Sequence, residues 1–184
     1  MKNEQNESNR AHQKRLQANR WPACCIVTQP VQTCRVQRAK LQPMCQLLGM
    51  NSRLPASLTL SFTGFSQRGG CTDHHADGWG IAFFEADGQA PGKAARYFVD
   101  KESAATSPIA QMLRSYPIKS HNVVAHVRKA TVGAVTLENC HPFVRELWGR
   151  YWFFAHNGDL KDYQPRLHGS FRPVGSTDSE LAFC

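Results

Sequence analysis

Met44 to Met50 reads MCQLLGM, and the fold turns on how this stretch is read. It is compact and apolar, the opening of a buried strand. Upstream, residues 1–20 are polar, rich in Gln, Asn and Arg, and nearly free of apolar periodicity, which is the pattern of disordered chain. Residues 21–43 mix Pro, Cys and short apolar pieces with no clear helix or strand period. Downstream, strand-like runs alternate with turn signals. The sequence therefore divides at Met44 into a basic, disordered or non-native extension (1–43) and a folded body (44–184).

Within the body, Ser57 to Phe62 (SLTLSF) alternates and predicts a strand. Ile81 to Glu85 predicts a buried strand, Asp87-Gly88 a turn, and Ala95 to Val99 (ARYFV) the return strand. Ser107 to Ser115 (SPIAQMLRS) predicts a short helix with Pro108 in its first turn. Asn122 to Val127 and Tyr151 to His156 predict two more buried strands, the second closed by Asn157-Gly158. Ser179 to Phe183 (SELAF) predicts the first turn of a helix capped by Thr177 or Asp178. So short a helix is marginal alone, so the domain is expected to continue past Cys184.

Composition narrows the function. Apolar residues make up 41% and charged residues 20%, a globular balance. No run of about 18 apolar residues is present to span a bilayer as a helix. Seven cysteines, an odd number with no C-x-x-C pair, argue against a disulfide framework and a zinc ribbon. A reducing, cytoplasmic setting is expected. The net charge is +8, of which +6 lies in residues 1–43 and +2 in the body. A basic arm could touch phosphates, but polar termini are commonly just solvated, and nothing in the body has a nucleic-acid-binding signature. Nucleic acid is not an expected partner.

Four short signals carry chemistry, and each has a plainer reading. Cys45 follows a Met that cytosolic processing commonly removes before a small residue. An N-terminal Cys would join a thiol nucleophile to an α-amine base of pKa about 7.7–8.0; otherwise Cys45 is a buried structural thiol. Arg128, in AHVRKAT (125–131), follows a predicted strand and suits a carboxylate ligand or a structural ion pair. Asn157 and Gly158, in AHNGDL (155–160), offer the side-chain amide and backbone N–H of an oxyanion hole, or a hairpin turn. Asp178, in GSTDSE (175–180), is a helix-cap residue or a carboxylate for an ammonium group. Together these parts would grip glutamine, the Arg and Asp on its amino-acid head, the Cys and Asn-Gly on its side-chain amide. The DHHADGWG stretch, with Asp73, His74, His75 and Asp77, lacks the i, i+4 His pair of a helical metal site, so no metal is expected.

At these residues the sequence resembles the class II glutamine amidotransferases, whose glutaminase domains are N-terminal-nucleophile hydrolases. The stretches that carry the resemblance are MCQLLGM (44–50), SFTGFSQRGG (61–70), DGWG (77–80), SPIA (107–110), YPIKS (116–120), ENCHPF (138–143), RELWGR (145–150), AHNG (155–158) and FRPVGSTDSE (171–180). They occur in order and cover essentially all of residues 44–184. The resemblance implies an α+β fold, a four-layer αββα sandwich of which this chain holds only part. It implies Cys45 as nucleophile, Asn157 and Gly158 as oxyanion hole, Arg128 on the glutamine α-carboxylate with Thr131 nearby, and Asp178 on the α-amine. No cofactor is implied.

Three features depart from the family pattern. Residues 1–43 precede a cysteine that the family needs at its N-terminus, so either translation starts at Met44, the favoured reading, or the extension is a propeptide. Val132 stands where many synthetase-linked relatives carry His. The family domain is also much longer than the part present here. The expected activity is release of ammonia from glutamine through a γ-glutamyl thioester, with a synthase or amidase subunit as partner. The alternatives are a γ-glutamyl hydrolase acting on γ-glutamyl peptides or conjugates, and an inactive truncated remnant.

Overall fold

The computed structural model describes residues 45–72, 74–86 and 93–184. The 1–43 extension, Asp73 and the expected turn at Asp87-Gly88 lie outside the described residues.

Four antiparallel strands form the main sheet in the order β1-β4-β2-β3. They are β1 (Gln46–Ser57), β2 (Trp79–Phe84), β3 (Ala95–Asp100) and β4 (Lys119–Val127). β1 is an edge strand rather than the buried strand expected from Met44 to Met50: none of its side chains is buried, and they alternate between half-buried and exposed up to Ser52. Its register with β4 runs from Gln46 opposite Val127 to Asn51 opposite Asn122, then shifts before Ala56 opposite Ser120. Pro55 sits in that break, where a residue without an N–H costs the ladder nothing. Central β2 and β4 are Val/Ile/Phe-rich, as strands covered on both faces are.

One face of this sheet carries the apolar core. Trp79, Ile81 and Phe83 of β2 and Val123, Ala125 and Val127 of β4 pack with Leu58, Phe62, Ala110, Leu113 and Ile118. Phe62 lies on α1 (Thr59–Gln67), and Ala110 and Leu113 on α2 (Pro108–Ser115). Ser107 caps α2, accepting from the Ala110 N–H, with Pro108 at the start of the helix as expected. Arg114 ties the two helices, donating to Ser66 Oγ at 2.9 Å.

The strand expected over Ser57 to Phe62 is overturned. β1 ends at Ser57 and α1 begins at Thr59. Leu58, Leu60 and Phe62 fit a period of two, but Leu58 and Phe62 also stand four apart. The structure buries that pair and leaves Leu60 89% exposed, so the helical period wins.

A two-stranded hairpin, β5 (Phe143–Leu147) and β6 (Arg150–Phe154), packs on the opposite face. Its turn, Trp148-Gly149, has positive φ at both residues, as two-residue hairpins with the sheet's natural twist require. Phe153 packs at a tilt against Phe84 and stacks on Tyr97 of the main sheet, while Phe154 stacks on Phe183 of α3 (Asp178–Phe183). The hairpin therefore lies between the main sheet and α3. Strand β5 was not anticipated, and β6 stops at Phe154 rather than His156, with side chains exposed or half-buried rather than buried as expected. Gly80 lets the hairpin side approach: a Cβ there would collide with the His141 carbonyl. At Gly78, whose φ is +112°, a Cβ would meet Cys140 Sγ at 2.5 Å.

Candidate active site

The expected site residues come from four places in the chain. Cys45 precedes β1, and Arg128 follows β4, directly across the ladder that begins with Gln46 opposite Val127. That pairing brings the thiol to the β4 end. Cys45 Sγ donates to the Lys129 carbonyl at 3.2 Å and accepts the Lys129 N–H at 3.1 Å. Burial pushes the Cys45 thiol pKa up, opposed by the Lys129 backbone hydrogen bond and the Arg128 charge. The thiol thus needs a base to become a nucleophile. In the chain as written, the Cys45 nitrogen is a peptide amide joined to Met44 and cannot serve as one.

Asn157 reaches the same point from the end of β6. Its Nδ2 donates to the Cys45 carbonyl at 2.8 Å, across 112 positions of sequence. A primary amide carries two hydrogens, so this bond fixes the group and leaves the second hydrogen for another acceptor. Gly158 follows on an exposed turn. Asp178, the first residue of α3, accepts the Leu160 N–H on Oδ2 at 2.6 Å, and so ties that helix to the same segment.

Arg128 is only 2% exposed, and its guanidinium is heavily used. Nη1 donates to the carbonyls of Ala134 at 3.0 Å and Asp77 at 3.5 Å, and Nη2 to those of Val132 at 2.9 Å and Gly133 at 3.3 Å. The partners are backbone carbonyls rather than the carboxylate of the anticipated ion pair. Arg128 therefore holds the exposed loop that carries Thr131 and Val132. Asp77 supports the loop from its other side, accepting the Ala130 N–H on Oδ2 at 2.8 Å.

Several supporting residues escaped the sequence reading. Buried Asn139 donates to the Ala134 carbonyl at 3.0 Å and accepts the Ser176 N–H at 2.8 Å, linking the Arg128 loop to the segment before α3. Glu180, also buried, accepts from Arg145 at 2.7 Å and from the N–H groups of Val174 and Gly175. Between the sheet and the hairpin lie two buried imidazoles, His126 and His141, with centroids 4.4 Å apart. Their four ring nitrogens have no hydrogen-bond partner among the described residues. Burial, with Arg128 close by, pushes His141 down to about 3 and His126 well below its ordinary value. Both rings are neutral at neutral pH. Among the described residues no cluster of three His, Cys, Asp or Glu is arranged to hold a metal. The earlier signal for Asn139 and His141 was the ENCHPF motif, and for His126 its alternation with Arg128 on one face of the strand in AHVRKAT.

A model of the family described as "Glutamine amidotransferases class-II" matches residues 44–184. The chain belongs to the class II glutamine amidotransferases. It is similar to a protein of Escherichia coli (strain K12) named "Putative glutamine amidotransferase YafJ", 55% identical over 77% of this chain and 53% of that protein. A Haemophilus influenzae protein named "Putative glutamine amidotransferase" is 53% identical over 78% of this chain and 47% of its own length. Among solved structures, one titled as a predicted glutamine amidotransferase from Pseudomonas aeruginosa PA01 matches with 45% identity and a TM-score of 0.50, over 76% of this chain and 53% of that one. This amidotransferase chain thus spans about half the length of those relatives. Its sheet, hairpin and helices are those of an α+β fold consistent with the family. No helix among its described residues is long and apolar enough to cross a membrane.

Proposed function

We propose that this amidotransferase domain cleaves the side-chain amide of glutamine with Cys45 as an N-terminal nucleophile. The observation that carries the reading is the Asn157 side chain anchored on the Cys45 carbonyl, an amide donor held beside the thiol. The thiol attacks the glutamine carbonyl carbon, and the freed α-amine of Cys45 takes its proton. The oxyanion that forms accepts from the remaining Asn157 Nδ2 hydrogen and the Gly158 N–H. The α-ammonium then protonates the departing nitrogen, ammonia leaves, and a γ-glutamyl thioester remains. Water hydrolyses it to glutamate, regenerating the thiol.

Arg128 binds the substrate α-carboxylate, which replaces the Val132 and Gly133 carbonyls on Nη2, with Thr131 beside it on the same loop. Asp178 takes the α-ammonium. The chemistry needs neither metal nor cofactor. Removal of everything ahead of Cys45 arms the enzyme. With the remainder of the domain seen in the longer relatives, the order of helices, sheet, hairpin and α3 completes a four-layer αββα sandwich. A synthase or amidase subunit receives the ammonia, in the cytoplasm. The basic segment 1–43 has no part in the chemistry, and neither nucleic acid nor membrane is a partner.

The test is covalent trapping. A glutamine analogue carrying an electrophile at its side-chain carbonyl carbon should add one equivalent to the protein once it begins at Cys45. Peptide mapping should place the label on Cys45, and glutamine should protect it. Protection by γ-glutamyl conjugates but not by glutamine would replace the glutaminase with a γ-glutamyl hydrolase. No labelling of the freed cysteine would leave the inactive-remnant reading.

A further inference from the structure

The segment from Ala155 to Leu160 leaves β6 without strand partners, yet in the proposed reaction it must hold two hydrogen-bond donors in a fixed place. Three bonds do this. One is the Asn157 anchor on Cys45. The other two run to the first residues of α3: His156 Nδ1 lies 3.0 Å from Ser179 Oγ, and the Leu160 N–H donates to Asp178. Ser179 is 3% exposed, so its hydroxyl has little access to water. Its Oγ donates to Asp178 Oδ1 at 3.4 Å, and its N–H donates to the same oxygen at 2.8 Å.

Ser179 has one hydroxyl hydrogen and two acceptors in reach, Asp178 Oδ1 at 3.4 Å and His156 Nδ1 at 3.0 Å. With the hydroxyl turned to the carboxylate, His156 donates from Nδ1 and carries its lone pair on Nε2, and the three groups form one relay. That ring stands over Gly158: a Cβ there would meet Nε2 at 2.8 Å and Cε1 at 3.0 Å. The ring thus occupies the space of a side chain at 158 and fixes the path of the Asn157–Gly158 turn.

We propose that His156 and Ser179 are positioning residues for the oxyanion donors, a His156–Ser179–Asp178 relay that locks the turn onto α3. The inference rests on the reading of Asn157 and Gly158 as those donors. It assigns Asp178 a second task besides holding the substrate ammonium; for Ser179 that task is its sole one.

The experiment uses the full chain with a protease site directly ahead of Cys45, folded and then cut. Ser179→Ala and His156→Gln should lower kcat for glutamate release by roughly 10²-fold, with KM held within about twofold. The double variant should lose no more than either single one. His156→Asn, whose amide nitrogen can stand near the place of Nδ1, should recover most of the rate. A rise in KM at constant kcat, or additive losses, overturns the inference. A parallel reading needs no turnover: nitrogen NMR of the uncut chain should show His156 protonated at Nδ1, and Ser179→Ala should shift the Gly158 N–H and the Asn157 side-chain amide. A ring protonated at Nε2 with those signals unmoved overturns it too. If the cut chain releases no glutamate while the NMR result holds, the glutaminase reading has failed and the relay stands.

Discussion

The two faces of the main sheet are built from the same strands to different rules. Toward α1 and α2, β2 and β4 present Trp79, Ile81, Phe83, Val123, Ala125 and Val127, an apolar layer closed by Leu58, Phe62 and Leu113. Toward the hairpin, Gly80 and His126 meet the Cys140–Phe143 segment, and Arg128 runs on to the loop it holds. The first face is held by area, which tolerates exchange of one apolar group for another of similar volume. The second is held by the rings of Phe84, Tyr97 and Phe153 and by counted hydrogen bonds, and it carries two imidazoles left without partners at a cost. Substitutions on the first face should therefore act on stability, and those beside Cys45 on turnover at nearly constant stability.

The largest effect belongs to the proposed nucleophile. Cys45→Ala should abolish glutamate release, on the order of a millionfold, while leaving the thermal midpoint close to the parent. A variant that unfolds with its activity would erase the contrast between the faces. Phe62→Ala, on the core face, should cost about 3–5 kcal/mol in urea unfolding, because its cavity would lie between α1 and Trp79, whose ring stands 5.7 Å away. Asn157→Ala should lower kcat about 10²–10³-fold with a much smaller effect on KM, measured on the cut chain.

The buried imidazoles set a pH dependence. Their folded pKa values are depressed, to about 3 for His141, against about 6.5 when unfolded. Between those values the unfolded chain binds more protons. Stability should therefore be full above about pH 6.5 and fall as pH drops toward 3, by up to about 1.4 kcal/mol per pH unit for His141, with His126 acting in the same direction. His126→Leu and His141→Leu should flatten that acid limb in urea titrations run at several pH values. The smallest effect is Leu60→Ala. It lies on a helix that also carries core, but its side chain is in water, and unfolding should move by no more than about 0.5 kcal/mol.

The split between the faces also explains what the sequence disclosed. The start of β1, strands β2 to β4, α2 and α3 were legible because their patterns are local: apolar runs bounded by turn signals, a Ser-Pro start, a Thr-Asp cap. The start of α1 was misread because Leu58, Leu60 and Phe62 satisfy two periods, and only burial chooses between them. β5 is short and follows Pro142 directly, so it gave no run to recognise. In the proposed site, Cys45, Arg128, Asn157, Gly158 and Asp178 could be named from the sequence as chemical types at the ends of predicted elements. Asn139, His156 and Ser179 were not, because each acts through a distant partner: Asn139 on Ser176, 37 positions away, and His156 on Ser179, 23 away. The carbonyl clamp of Arg128 was hidden too, since no side-chain pattern marks a backbone acceptor.

The central claim is that Cys45 works through its own α-amine. Glutamate release from glutamine should be measured with the folded chain before and after protease cutting directly ahead of Cys45. The account predicts no release from the uncut chain, and release after cutting that rises in step with the fraction of chains beginning at Cys45. Equal release before and after the cut would contradict it.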